Sequence, residues 1–251
     1  MNAQEKDLVV GAAPEGTRDR EAAARAVRKM FTSIAPRYDL LNHVLSCNVD
    51  RLWWRRAAGT FDHILSRPEC SVLDLCCGTG DMTHALLKRA KAGVVRILGA
   101  DFSHAMLQRA LIKGRGTRLS WIEADALRLP FPDRSFDLLT SAFGFRNLAD
   151  YDAGLREIFR VLRPGGEVGI LDFGEPRGVL GRFYRFYFRS VLPAVGTWIS
   201  GVKGPYAYLP ASVEKFPPPD EMLARMARAG FREPSWTPYT FGIAGLYRGR
   251  R

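Results

Sequence analysis

The chain lacks the roughly 18–20 consecutive apolar residues that a membrane-spanning helix needs, and charges interrupt residues 1–30 throughout, which excludes a signal-peptide pattern there. The expectation is a cytoplasmic protein that at most touches the cytoplasmic face of the inner membrane. Cysteine is scarce, with only Cys47, Cys70, Cys76 and Cys77. They form no CxxC pair and no Cys/His set at zinc spacing, so no metal site is expected. A bond between neighbouring Cys76 and Cys77 would close a strained ring, and reduced thiols are expected. No GxxxxGK[ST] loop occurs, which argues against P-loop nucleotide binding.

Acidic residues are missing from Arg177 to Val213, where Arg177, Arg182, Arg185, Arg189 and Lys203 alternate with aromatics. The whole chain carries a net charge of +11. Such a balance draws polyanions, either nucleic acid or an anionic leaflet. No recognition module accompanies the charge and no NPPY-like loop follows the fourth strand, so a nucleic-acid partner is not expected.

What is present is an alternation. The 251 residues suit one large core with appendages. Residues 1–20 read as a disordered polar leader and 21–70 as a helical cap, with a helix over 21–35 and the segment "PRYDLLNHVLSCNVDRLWWRRAA" after it. From 71 onward apolar strands at 71–77, 94–101, 119–125, 136–143 and 167–173 alternate with helices at 81–91, 104–114 and 152–166. This predicts an α/β fold, a Rossmann-like, mostly parallel sheet with helices on both faces. An aromatic and basic insertion (175–217), a helix over 217–231 capped by Asp220, and a final hairpin complete the domain of 71–251.

The stretch "VLDLCCGTGDM" runs from strand to helix through an acid, Asp74, and a Gly-Thr-Gly turn. Gly78 and Gly80 allow the backbone to approach a ligand. Asp101 ends the next strand, where an acid accepts hydrogen bonds from ribose hydroxyls. A dinucleotide fits poorly. Thr83 stands where a third glycine would, and Asp81 at the helix start would repel a pyrophosphate. A nucleoside with a positive centre and no phosphate fits better, namely S-adenosylmethionine. Asp125, ending the third strand, can accept from the adenine amine, with the Ala126 N–H reaching a ring nitrogen.

With these residues in place, "DLCCGTGD", "GADFSHAML", "EADALRLPFPDRSFD" and "REIFRVLRPGGEVGILDF" resemble the successive motifs of class I S-adenosylmethionine-dependent methyltransferases. "FTSIAPRYDLLNHVLSCNVDRLWWRR", "SAFGFRNLADYDAGLREIFRVLRPGG" and "FGIAGLYRG" narrow the resemblance to the ubiquinone/menaquinone biosynthesis C-methyltransferase family, over roughly residues 25–249. The resemblance implies cofactor contacts at Thr79, Asp101, Asp125, Ala126 and Ser141. It implies methyl transfer to a ring carbon of a polyprenylated quinol, either naphthoquinol or benzoquinol. One departure stands out: Cys76 occupies a position that is usually glycine in the superfamily.

Ring methylation needs electron density on the quinol. Arg146, beyond the carboxyl end of the fourth strand, is the first candidate to stabilise a phenolate oxygen, directly or through water. Asn147 can bond the second ring oxygen. Tyr38, Asp39 and Asn42 are candidates to close the site from the N-terminal helices, while His43 reads as packing. The basic insertion suits a membrane interface and an isoprenoid tail. The rivals are a methyltransferase acting on a phenolic oxygen and a non-catalytic quinone-binding subunit. Monomer and homodimer both stay open.

Overall fold

Strand β1 (Ser71–Leu75) shows how the sequence divides the core. Successive side chains of a strand point to opposite faces, so Val72 and Leu73, both fully buried, serve different layers. Leu73 and Leu75 join a cluster with Leu139, Val168, Ile158 and Met226. Val72 joins Leu138, Leu171, Trp53 and Leu86 on the other side. The structure is a computed structural model and describes residues 11, 12, 14, 17, 19–37, 46, 48–91, 96–174, 176, 181, 187 and 205–251. Tyr38, Asp39, Asn42, His43, Cys47 and most of the basic insertion lie outside the described residues.

The sheet has seven strands: β1, β2 (Arg96–Asp101), β3 (Ser120–Glu123), β4 (Phe136–Ala142), β5 (Leu162–Phe173), β6 (Arg232–Tyr239) and β7 (Ala244–Arg250). Their order is β3-β2-β1-β4-β5-β7-β6. The first five pair in parallel, and β7 runs antiparallel to β5 and to β6. Strand β1 sits between β2 and β4, so the chain changes direction there. A crevice opens at the carboxyl ends of the strands at such a switch point.

The helices are α1 (Arg20–Ile34), α2 (Val49–Gly59), α3 (Asp62–Leu65), α4 (Asp81–Arg89), α5 (His104–Lys113), α6 (Tyr151–Val161), α7 (Pro205–Lys215) and α8 (Pro219–Arg228). Asp19 caps α1 by accepting from the Ala22 N–H at 2.7 Å, and Asp150 caps α6 from the Ala153 N–H at 2.9 Å.

Two helix ends differ from the sequence reading in ways that have a local cause. Helix α6 ends at Val161, not at 166, and Leu162 is already extended. Arg163 precedes Pro164, and that steric restriction turns the chain into strand. Helix α8 is capped by Pro218, with Pro219 in its first turn. Asp220 is therefore inside the first turn, where it complements the helix dipole without capping. Within residues 1–20, Ala12 is buried and its N–H donates to Leu148 O at 2.8 Å.

Candidate active site

The loop after β1 makes the floor of a cavity at the carboxyl edge of the sheet. Cys76, Gly78 and Gly80 take φ of 55°, 56° and 89°. The left-handed turn thus begins on a cysteine, where glycine would be free of the side-chain penalty. The Gly80 N–H donates to Cys77 O at 2.8 Å, and the Cys77 N–H to Ala100 O at 3.0 Å. A Cβ on Gly80 would come within 2.4 Å of the Trp121 ring, and one on Gly99 within 2.5 Å of it. Trp121 therefore presses β2 and the loop together.

Two buried carboxylates organise this floor. Asp74 accepts from Thr83 Oγ1 at 2.6 Å and from Thr140 Oγ1 at 2.8 Å. Loss of hydration raises its pKa to about 7, against the pull of those two hydroxyls. Asp101 accepts from the Gly78 N–H and the Ser103 N–H, both at 2.8 Å. Burial raises its pKa to about 6, while these N–H donors oppose the rise. One carboxylate thus ties the loop to β2 while facing the cavity.

The cavity is lined by Asp74, Gly78, Thr79, Asp101, Asp125, Ala126 and Asn147, all expected from the sequence. Asp125 turns the chain by accepting from the Leu127 N–H at 2.9 Å. Gly80 and Ser141 stand behind the lining. Cys76 and Cys77 do line it, and desolvation, first, then Asp101 and Asp74, push both thiols well above their ordinary value. Asp81 at the start of α4 also faces the cavity and pairs with Lys113 at 2.5 Å.

Arg146 is a buried group behind the residues that line the cavity. Its Nη1 pairs with Asp172 Oδ1 at 2.9 Å and also donates to Phe143 O, and its Nε donates to Ser212 Oγ at 3.3 Å. Its backbone N–H donates to Asp172 Oδ2 at 3.0 Å. Strand β5 carries Asp172 beneath the turn Phe145–Asn147, and the guanidinium folds onto it. Asn147 emerges from this turn into the cavity. Its Oδ1 accepts from Tyr208 Oη at 3.2 Å, while its buried Nδ2 has no partner among the described residues.

Sequence reasoning left Tyr208 unnamed, although it falls in the segment "PYAYLP" of the insertion. That segment forms α7, which contains Ser212 and Tyr208 and so touches both Arg146 and Asn147. Pairing across about 60 residues has no sequence signal. Helix α1 roofs the cavity through Ala24 and Phe31. It is fastened by Arg20 to Asp150 at 3.0 Å, and by Arg28 to Glu123 at 2.9 Å and Phe102 O at 2.6 Å.

The model of the ubiE/COQ5 methyltransferase family matches residues 18–251. A demethylmenaquinone methyltransferase of Deinococcus radiodurans is 49% identical over 234 residues, covering 92% of this chain and 95% of the relative. A ubiquinone/menaquinone biosynthesis C-methyltransferase UbiE of Geobacter sulfurreducens is 43% identical, covering 90% and 88%. Among solved structures, a SAM-dependent methyltransferase of Thermotoga maritima, a possible histamine N-methyltransferase, superposes with a TM-score of 0.63 at 19% identity, covering 88% of this chain and 98% of that one. The [4+2]-cyclase SpnF superposes at 0.65 with 16% identity, covering 97% and 99%. At these identities the structural likeness establishes the fold alone.

Proposed function

The chain belongs to the ubiE/COQ5 methyltransferase family, and from that membership we propose that it transfers a methyl group from S-adenosylmethionine to a ring carbon of a polyprenylated quinol. Demethylmenaquinol is the first substrate to test, because the relatives at 49% and 48% identity are both demethylmenaquinone methyltransferases. The benzoquinol intermediate of ubiquinone synthesis is the second.

The donor set suits the cofactor. Asp101 and Asp125 offer carboxylates to ribose hydroxyls and an adenine amine, Gly78 and Thr79 bring backbone close, and Asp81 disfavours a phosphate. When bound, S-adenosylmethionine supplies a methyl group made electrophilic by its sulfonium. The chain's own task is to hold an electron-rich ring carbon in line with that methyl and to exclude water. Asn147 Nδ2 is the observation that carries this reading: it is a buried donor without a partner among the described residues, on a side chain whose residue lines the cavity. In the proposal it donates to a quinol oxygen and stabilises the charge that develops there. Tyr208 Oη fixes the orientation of that amide by occupying Oδ1. Arg146 positions the turn that presents it. Tyr38 and Asp39 remain proposed as closing residues.

The proposal places the enzyme in the cytoplasm, on quinols of the inner membrane. No helix among the described residues is long and apolar enough to cross a membrane. The test is incubation with methyl-labelled S-adenosylmethionine and short-tailed demethylmenaquinol or benzoquinol, separately. Label on a ring carbon is expected. Label on an oxygen would turn the reading to a phenol O-methyltransferase, and no label on either quinol would overturn it.

A further inference from the structure

Phe241 is 82% exposed and sits at the carboxyl edge of the sheet, in the turn between β6 and β7. Its backbone is in the left-handed region: Thr240, Phe241 and Gly242 have φ of 45°, 57° and 90°. A large apolar side chain is rarely held outward on such backbone. The turn packs against α2. Trp53 Nε1 donates to Thr240 Oγ1 at 2.8 Å, and the Arg56 guanidinium lies 4.4 Å from the centre of the Tyr239 ring. Leu52 lies one helical turn before Arg56, on the same stripe of α2, and is 52% exposed. Two exposed large apolar side chains are thus carried on neighbouring elements, each one residue from the Trp53–Thr240 contact.

The rim is continuous with the cavity. Trp53 packs on Phe143 with ring centroids 5.8 Å apart, and Phe143 lines the cavity. Phe173 closes this aromatic group, 6.2 Å from Trp53 and 4.6 Å from Phe143. Arg51 and Arg55 flank Leu52 and are exposed; the Arg51 backbone N–H donates to Asp50 Oδ1 at 2.8 Å, and neither guanidinium forms an ion pair among the described residues. The other exposed large apolar residues among those described, Leu111 and Ile112, lie at the end of α5, which runs back from the cavity edge.

We propose that the rim of Leu52 and Phe241, with Arg51 and Arg55 beside it, is the surface by which this protein docks on an anionic lipid bilayer. The apolar pair enters the acyl boundary and the arginines meet the headgroups. The aromatic group behind the rim then gives a lipid tail an apolar route to the cavity wall. This rests on the quinol reading for its purpose, but the docking itself is measured without turnover.

The experiment is flotation of the full chain with vesicles of phosphatidylglycerol and, separately, of phosphatidylcholine. The wild type is expected to float with phosphatidylglycerol and to be released by salt. Leu52→Ser with Phe241→Asn should weaken that partition by about tenfold or more, from the apolar area withheld from lipid. Asparagine tolerates the left-handed backbone, so the fold is kept. Ile112→Ser is the control and should float like the wild type. The paired variant should methylate a short-tailed soluble quinol at the wild-type rate and a long-tailed quinol in vesicles more slowly. Unchanged flotation of the paired variant would overturn the proposal. So would sedimentation showing that this pair dissolves a dimer, since the rim would then belong to a second copy. Failure of the wild type to methylate any quinol would sink the quinol reading and leave the flotation result standing.

Discussion

Arg146 and Asp172 form an ion pair at 2.9 Å with both side chains almost wholly withdrawn from water. Asp172 also accepts from the Arg146 backbone N–H, so one carboxylate holds the turn Phe145–Asn147 twice. Removing one member of such a pair strands the other charge. Asp172→Ala is therefore expected to lower the unfolding free energy by about 3–5 kcal/mol. Denaturant titration measures this, and a loss below ~1 kcal/mol would show that the pair does not organise the turn.

Tyr208→Phe removes the donor to Asn147 Oδ1 and leaves the packing of the ring. The expected loss in kcat is about fivefold, the worth of one neutral hydrogen bond. Asn147→Ala removes the proposed donor to developing charge and should cost more, about 10–100-fold. Steady-state kinetics with a short-tailed quinol distinguishes the two. An Asn147→Ala enzyme at full rate would exclude the donor role.

The pH dependence of cofactor binding follows from Asp101, whose pKa burial raises to about 6. Ribose hydroxyls donate to the charged form, so binding favours the carboxylate and releases a proton below that pH. Affinity should rise from pH 5 to 7 and then level off. The same shift acts oppositely on the empty protein. The folded pKa is above the unfolded one, so this group's penalty on folding is present above pH 6 and fades as pH falls toward 4. Calorimetry in buffers of different ionisation enthalpy reads the proton release directly, and a flat profile would remove Asp101 from the ribose contact.

Gly99→Ala should disturb the cofactor loop from beneath, at a residue that does not itself line the cavity. The added Cβ meets the Trp121 ring at 2.5 Å and Cys77 Sγ at 3.0 Å. Overpacking of this kind costs about 1–3 kcal/mol. Trp121→Phe in the same chain should restore most of it, as thermal unfolding of the double variant will show.

The cysteines give a further contrast. Cys76→Ala should keep methyl transfer within about twofold, because the thiol is raised well above its ordinary value and serves only as lining. Cys76→Val places a branched side chain at φ 55° and should destabilise by about 1–2 kcal/mol relative to alanine. Assay and melting point together decide it.

The parallel order and the loop were legible because both are local. Asp74, Asp101 and Asp125, at or just beyond the ends of apolar strands, announce the carboxyl edge, and glycines mark the turn after β1. The place of Asn147 on the cavity lining follows from its position after β4, whereas the burial of Arg146 does not. Its partner Asp172 lies 26 residues on, and Ser212 comes from a helix within the insertion. A charged side chain at a strand end reads the same whether it points at a ligand or folds under the turn. The end of α6 was misplaced because "RPGG" suggests a helix stop, whereas the residue before proline had already entered the strand.

Helix α1 closes the cavity on contacts of a different kind from those that hold the sheet. Arg28 and Glu123 are both about half exposed, and Arg20 is nearly a third exposed. Surface ion pairs of this sort contribute ~1 kcal/mol or less, and salt screens them. The ion pairs of the roof thus add a salt-sensitive part to the apolar burial of Ala23, Val27 and Ile34, while the floor is fixed by buried carboxylates.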